Sequence, residues 1–180
     1  YRMNYIARKV VMVRPLTFRS NEQTLVSNAF QKKGDFQNQI LLQAQSEFDQ
    51  LVNLLIANDI KVLKFDEVKD ADTPDCLFPN NWFATLPDGK TFVFAMEAGN
   101  RRGEYRTDIL SAVKKDSDII DLRFLCETSN FLEGTGSMIL DHRHKIAYAC
   151  MSSRTTEVGL REFQNASKYE VVKFSAADRT

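Results

Sequence analysis

The sequence predicts an α/β fold assembled from repeated ββαβ units. Two hairpin signals, one near the middle and one about 50–55 positions later, are each followed by an amphipathic helix and a short apolar strand. That order of elements returns after about 50–55 positions, the mark of a structural repeat. A long helical stripe between two strand patterns in the first third fits the same unit more loosely.

Taken in order, residues 9–13 read as a strand and residues 18–34 as a long loop with one helical turn. A loop of that length inside a compact domain points to function. Residues 38–58 form a helix with Leu41, Ala44, Phe48, Leu51 and Leu55 on one stripe, and 60–65 close the unit as a strand. In the second unit, strands at 82–86 and 91–96 flank the turn Pro87-Asp88-Gly89. A helix over 104–115 carries Tyr105, Ile109 and Val113 four apart, and 119–122 is a strand. In the third unit, strands at 137–140 and 146–150 flank Asp141-His142-Arg143-His144. Helix 156–167 then turns Val158, Leu160 and Phe163 inward, and 169–174 is a Val- and aromatic-rich strand. The modules divide near 1–66, 67–123 and 124–180 of a single domain.

The 180 residues, 43% hydrophobic and 27% charged, suit one globular domain that buries roughly 70% of its unfolded surface. Lys+Arg and Asp+Glu balance at 24 each, which argues against nucleic acid or an anionic membrane surface as partner. Apolar runs such as Ile40-Leu41-Leu42 are too short to cross a bilayer. The start, Tyr1-Arg2-Met3-Asn4-Tyr5, has neither a signal-peptide apolar stretch nor an initiating Met, so a trimmed start is expected. Cys76, Cys126 and Cys150 form an odd set without CxxC spacing, which predicts reduced thiols and a cytoplasmic setting.

Glu133 stands between Leu132 and a Gly-Thr-Gly turn, just ahead of a strand that should be buried. Desolvating a carboxylate there is costly unless a cation or hydrogen-bond donors meet it. Gly134 and Gly136 leave room for a ligand near the backbone. A tight turn with Glu133 in water is the alternative. Each unit also ends its inner strands near an arginine: Arg14, Arg101 and Arg154. These either line a shared funnel or are solvated surface residues.

Three stretches fix the family resemblance: Thr73-Pro74-Asp75-Cys76-Leu77-Phe78-Pro79-Asn80-Asn81-Trp82-Phe83; Asn100-Arg101-Arg102-Gly103-Glu104; and Phe131-Leu132-Glu133-Gly134-Thr135-Gly136-Ser137, followed by Ser152-Ser153-Arg154-Thr155. In this order they resemble the pentein superfamily of arginine deiminases, dimethylarginine hydrolases and amidinotransferases. Among these they are most similar to the citrulline-utilisation hydrolases, over residues 10–178. The resemblance implies a five-bladed α/β propeller of ββαβ modules, of which about three are present. It also implies a cysteine thiolate that attacks the central carbon of a guanidinium-like group, a histidine that shuttles protons, and carboxylates that hold the planar cation.

Residue by residue, the resemblance makes Glu133 the catalytic carboxylate and Asp75 a substrate contact. Arg101 and Arg154 become clamps for the substrate's α-carboxylate. Asn80 and Asn81 replace the acidic or Arg-Asp pair of guanidine-specific relatives. An amide donates as well as accepts, which suits a neutral ureido group, although two amides capping a turn beside Trp82 is the alternative. Gly136 stands where arginine deiminases carry a second acid. The catalytic histidine and cysteine of the family are expected beyond Thr180. His142 and His144 are expected on the surface, and the three cysteines as small buried side chains. No metal site and no cofactor are expected, since His142-Arg143-His144 lacks further ligands. The expected partner is a small-molecule guanidino or ureido substrate. Three open blades would expose edges and apolar faces, which favours a homo-oligomer. An amidinotransferase, or a non-catalytic binding pentein, is the alternative function.

Overall fold

In the third module the predicted pattern is most fully realised. A single turn α3 (Gly134–Ser137) leads into β6 (Met138–Asp141), which pairs antiparallel with β7 (Ile146–Cys150). Helix α4 (Glu157–Ser167) then returns the chain so that β8 (Glu170–Phe174) lies parallel to β7. The Thr156 side chain caps α4 by accepting from Gly159 N at 3.2 Å, and Lys168 ends it in the left-handed region. At the hairpin, Asp141 accepts from the backbone N–H of Arg143 and of His144, which explains the polar turn.

The computed structural model describes residues 7–24, 38–113 and 118–177. It forms two units: Asn80–Glu97 with Asp116–Thr180, and Ile6–Pro79 with Ala98–Lys115. The first unit holds the third module together with the sheet of the second. There β3 (Phe83–Thr85) and β4 (Thr91–Val93) form the hairpin, closed by Leu86 N donating to Lys90 O at 2.8 Å. β5 (Ile119–Asp121) adds parallel to β4. The two sheets therefore share one topology, a hairpin plus a parallel third strand, which is the repeat expected from the sequence.

The core of this unit gathers Phe92, Phe94, Leu132, Met138, Ala147, Ala149, Leu160 and Phe163. The Phe163 ring of α4 meets that of Phe92 at 4.9 Å. Small alanines on β7 let α4 approach its own sheet. On the other face of that sheet Ile139, Tyr148 and Val172 stand in register, with Phe174 beside them, and all four are exposed.

In the second unit β1 (Lys9–Arg14) and β2 (Lys61–Asp66) pair in parallel, with Val10 opposite Val62 and Val13 opposite Phe65. Parallel strands need a crossover, and α1 (Asn38–Ala57) supplies it. Among the described residues this module is βαβ rather than ββαβ. The buried stripe of α1 also differs from expectation. Val52 is buried and Leu51 exposed, because Leu41, Phe48, Val52 and Leu55 follow the helical period more closely than the set through Leu51. Arg14 closes β1 onto α1, with Nη2 3.0 Å from Asp49 Oδ2; that bond holds the Asp49 carboxyl below its usual range.

The helix expected over 104–115 is shorter. A 3₁₀ turn spans Asn100–Glu104, Tyr105 is extended, and α2 runs over Thr107–Val113, with 114 and 115 outside the described residues. Arg101 and Glu104 are both buried and joined three residues apart, which selects the tighter 3₁₀ period. Among the described residues, no helix is long and apolar enough to cross a membrane.

Phe163 is fully buried between the two sheets' aromatic and alanine surfaces. Phe163→Ala is expected to lower stability by about 3–5 kcal/mol, measured by urea unfolding followed by circular dichroism.

Candidate functional site

The site in the first unit begins with backbone pairing. Leu132 bridges to Ala95 on one side and to Thr155 on the other. Leu132 N donates to Ala95 O at 3.0 Å, and Thr156 N to Phe131 O at 2.9 Å. The peptide 131–133 is thereby threaded between the end of β4 and the loop before α4. This carries Glu133 inward, to 1% exposure.

A carboxylate buried this deeply needs compensation. Glu133 Oε1 accepts from Glu97 N at 3.0 Å, and Glu133 Oε2 faces Arg154 Nη1 at 3.5 Å. Glu97 in turn accepts from Ser153 Oγ at 3.1 Å. Ser137 Oγ accepts from Glu133 N at 2.9 Å and donates to Arg154 O at 2.8 Å. Of the two readings of Glu133 open in the sequence, the buried carboxylate is the one observed.

The glycines here have separate reasons. A Cβ on Gly134 would lie 2.3 Å from Asn80 O, so this glycine is required by backbone packing rather than by room for a ligand. A Cβ on Gly136 would lie 2.7 Å from Asn81 Nδ2 and 3.2 Å from Glu133 Oε2. The Asn81 amide nitrogen and the Glu133 carboxylate thus both lie close against Gly136, leaving less than the space a methyl group needs. Asn80 is exposed, and its Nδ2 donates to Thr135 Oγ1. Thr135 Oγ1 also lies 3.4 Å from Asn81 Oδ1. Glu133, Asn80, Asn81 and Arg154 are therefore one cluster.

Asp75 and Arg101 form a second cluster, within the other unit. Arg101 Nε and Nη2 reach Glu104 at 2.8 and 2.9 Å, and Arg101 Nε lies 3.7 Å from Asp75 Oδ2. Asn21 Nδ2 donates to Asp75 Oδ2 at 2.7 Å, and Asn100 Nδ2 donates to Asn21 Oδ1 at 2.8 Å. The Arg101 side chain is 4% exposed and that of Arg154 21%. Arg14 faces Asp49 instead.

Other expectations are refined. Cys76 is buried, but Cys126 and Cys150 are only partly so, each lying at the margin of packed strands or turns. Burial first, then the negative charges of Glu67, Glu104 and Asp75, pushes the Cys76 thiol up to about 12, the opposite of an activated nucleophile. His142 is half-buried rather than on the surface, with Nδ1 2.8 Å from Tyr169 OH, and burial lowers its pKa. His144 is exposed and bonded to Asp141 at 2.7 Å. Among the described residues, no group of three His, Cys, Asp or Glu is arranged to hold a metal ion.

Seven residues of these clusters had no role from the sequence: Asn21, Glu97, Asn100, Glu104, Thr135, Ser137 and Ser153. Thr135 and Ser137 lie inside the Glu-Gly-Thr-Gly-Ser stretch, so adjacency was their signal. Asn21 lies in the loop over 18–34, whose residues 25–34 fall outside the described residues.

The profile of the family described as N,N dimethylarginine dimethylhydrolase, eukaryotic, matches residues 14–180. The chain belongs to this family. It is a pentein, within the superfamily of guanidino-modifying enzymes. Among solved structures, it is similar to the product-bound N-terminal domain of ArgZ, an arginine dihydrolase from cyanobacteria (TM-score 0.73, 17% identity, covering 94% of this chain and 58% of that one). It is also similar to a mutant DDAH from Pseudomonas aeruginosa complexed with citrulline (TM-score 0.69, 14% identity, covering 97% and 63%). A third is a dimethylarginine dimethylaminohydrolase adduct with S-methyl-L-thiocitrulline (TM-score 0.67, 16% identity, covering 96% and 63%). These likenesses show the fold. The chain spans about three-fifths of the length of these three structures. No curated protein matches the chain.

Two outcomes follow from the site's packing. Gly134→Ala should cost about 3 kcal/mol in urea unfolding, because backbone must move, while Gly136→Ala should cost less than about 1 kcal/mol, because the Asn81 amide can swing aside. Cys76 should resist iodoacetamide at pH 8 in the folded protein, with roughly a thousandfold less thiolate than a free cysteine. Peptide mass spectrometry after labelling, with and without urea, reads this directly.

Proposed function

We propose that this chain supplies the substrate-holding groups of a hydrolase acting on C–N bonds of guanidino or ureido groups, with a citrulline-like ureido group preferred. The observation that carries the reading is the buried Glu133 carboxylate, with the Asn81 amide beside it at Gly136. A ureido group offers a carbonyl oxygen and N–H donors. The Asn81 amide can donate to that carbonyl while the Glu133 carboxylate accepts from N–H, and charge-assisted bonds of this kind contribute roughly 1.5–3 kcal/mol. A guanidinium carries donors only, so an amide donor beside it is mismatched.

In this chemistry a thiolate adds to the central carbon, ammonia or an amine leaves, and water resolves the covalent adduct. Glu133 holds the planar group during addition. Arg154, the more exposed of the two arginines, is proposed to receive the substrate's α-carboxylate. Asp75 and Arg101 are assigned to substrate binding by the family resemblance, and Asn21 and Glu104 fix their orientation. Cys76, Cys126, Cys150, His142 and His144 are not proposed as nucleophile or proton shuttle. Cys76 is buried with a raised pKa, and the two histidines sit in the β6–β7 turn on Tyr169 and Asp141.

Methylated arginine is the second reading, favoured by the description of the matching family. Ammonia and amine release from citrulline, arginine and dimethylarginine by the intact protein separates them. Citrulline is expected to be preferred by at least about tenfold in kcat/KM, and Glu133→Gln to lower turnover by about a hundredfold or more. Preference for arginine or dimethylarginine with citrulline ignored would overturn the ureido assignment. Unchanged turnover in Glu133→Gln would remove that residue from the mechanism.

A further inference from the structure

We infer that Ser137 is a positioning residue that locks Glu133 and Arg154 into one geometry. The inference rests on the reading of Glu133 and Arg154 as site groups. Its physical basis lies in a closed circuit of hydrogen bonds, which stands apart from that reading.

Ser137 ends the single helical turn α3, and its N–H donates to Glu133 O at 2.6 Å. The same residue's hydroxyl accepts from Glu133 N at 2.9 Å and donates to Arg154 O at 2.8 Å. One serine thus ties both backbone polar groups of Glu133 and the backbone carbonyl of Arg154. The circuit closes on its far side through side chains: Arg154 Nη1 faces Glu133 Oε2, and Glu133 Oε1 accepts from Glu97 N. Glu97 then accepts from Ser153 Oγ, next to Arg154 in the chain.

A hydroxyl is the group this position demands. It must accept from one strand-like segment and donate to another at the same time, which neither an amide N–H nor a carboxylate does with one atom. At 3% exposure, water has little access to replace it. Ser167 provides a natural comparison. It is a serine of similar burial, 2% exposed, at the far end of α4, with its hydroxyl accepting from Tyr169 N at 3.1 Å. Losing that hydroxyl removes a buried hydrogen bond of the same kind away from the Glu133–Arg154 pair.

The test is nuclear magnetic resonance on this chain, reading solvent exchange of the Arg154 guanidinium protons, which the ion pair slows. Ser137→Ala is expected to speed that exchange about tenfold. Ser137→Thr, which keeps the hydroxyl, and Ser167→Ala are expected to leave it within about twofold. Should Ser137→Ala not fold, Ser137→Cys, close in shape but a weak hydrogen-bonder, carries the same expectation. Unchanged exchange in the Ala or Cys variant, or an equal rise in Ser167→Ala, overturns the inference. Titration of citrulline and arginine into the same wild-type sample separates the two ideas. If neither ligand binds, the functional reading loses support, while the exchange rates still decide the role of Ser137.

Discussion

A carboxylate removed from water is the constraint around which the first unit is arranged. Glu133 is held among groups drawn from three parts of the chain: Glu97 after β4, Ser137 in its own turn, and Arg154 before α4. Glu97 gives the carboxylate a backbone donor and Arg154 a positive charge, while the Ser137 hydroxyl accepts from Glu133 N and fixes the backbone that carries it. The aromatic and alanine core beneath does not itself recognise a ligand. It fixes the spacing of those three segments, so the compensation of one charge is built from packing several residues away.

The same logic recurs in the second unit with the signs exchanged. There the buried cation is Arg101, bracketed by Glu104 and Asp75, and Asp75 is steered by Asn21. Glu67, also buried, accepts from Leu16 N and Thr17 N at 2.7 Å each and so anchors the start of the 18–34 loop. Among the described residues, buried polar groups of both units are thus arranged as networks, and such networks specify geometry more than they add stability.

Much of this was legible in the amino-acid pattern. The hairpins around Pro87-Asp88-Gly89 and Asp141–His144 have turn chemistry that acts locally, and helix α4 has a capping Thr156 and a strong apolar face, so these elements follow from short-range rules. Glu133 was legible because its setting between Leu132 and glycines makes water the less comfortable neighbour. What escaped was long-range. Glu97 meets the Glu133 carboxylate through its backbone N–H, which carries no side-chain signal. Ser137 acts through a hydroxyl whose two partners lie four positions before it and seventeen after it. The 3₁₀ turn over Asn100–Glu104 was hidden because the Arg101–Glu104 pair, not periodicity, selects it. Gly134 and Gly136 looked alike in sequence, and only the approach of Asn80 and Asn81 tells them apart.

The threading of Leu132 between Ala95 and Thr155 also bears on the order of events in folding. Each hairpin can form from neighbours in sequence, but the bridge through Leu132 joins residues tens of positions apart, and loop closure makes such contacts late and slow. In the native structure it is that bridge which carries Glu133 out of water and beside Asn81. The cluster is therefore built from two modules together rather than from either alone. A partially folded chain could have native-like hairpins and still lack the Glu133 cluster.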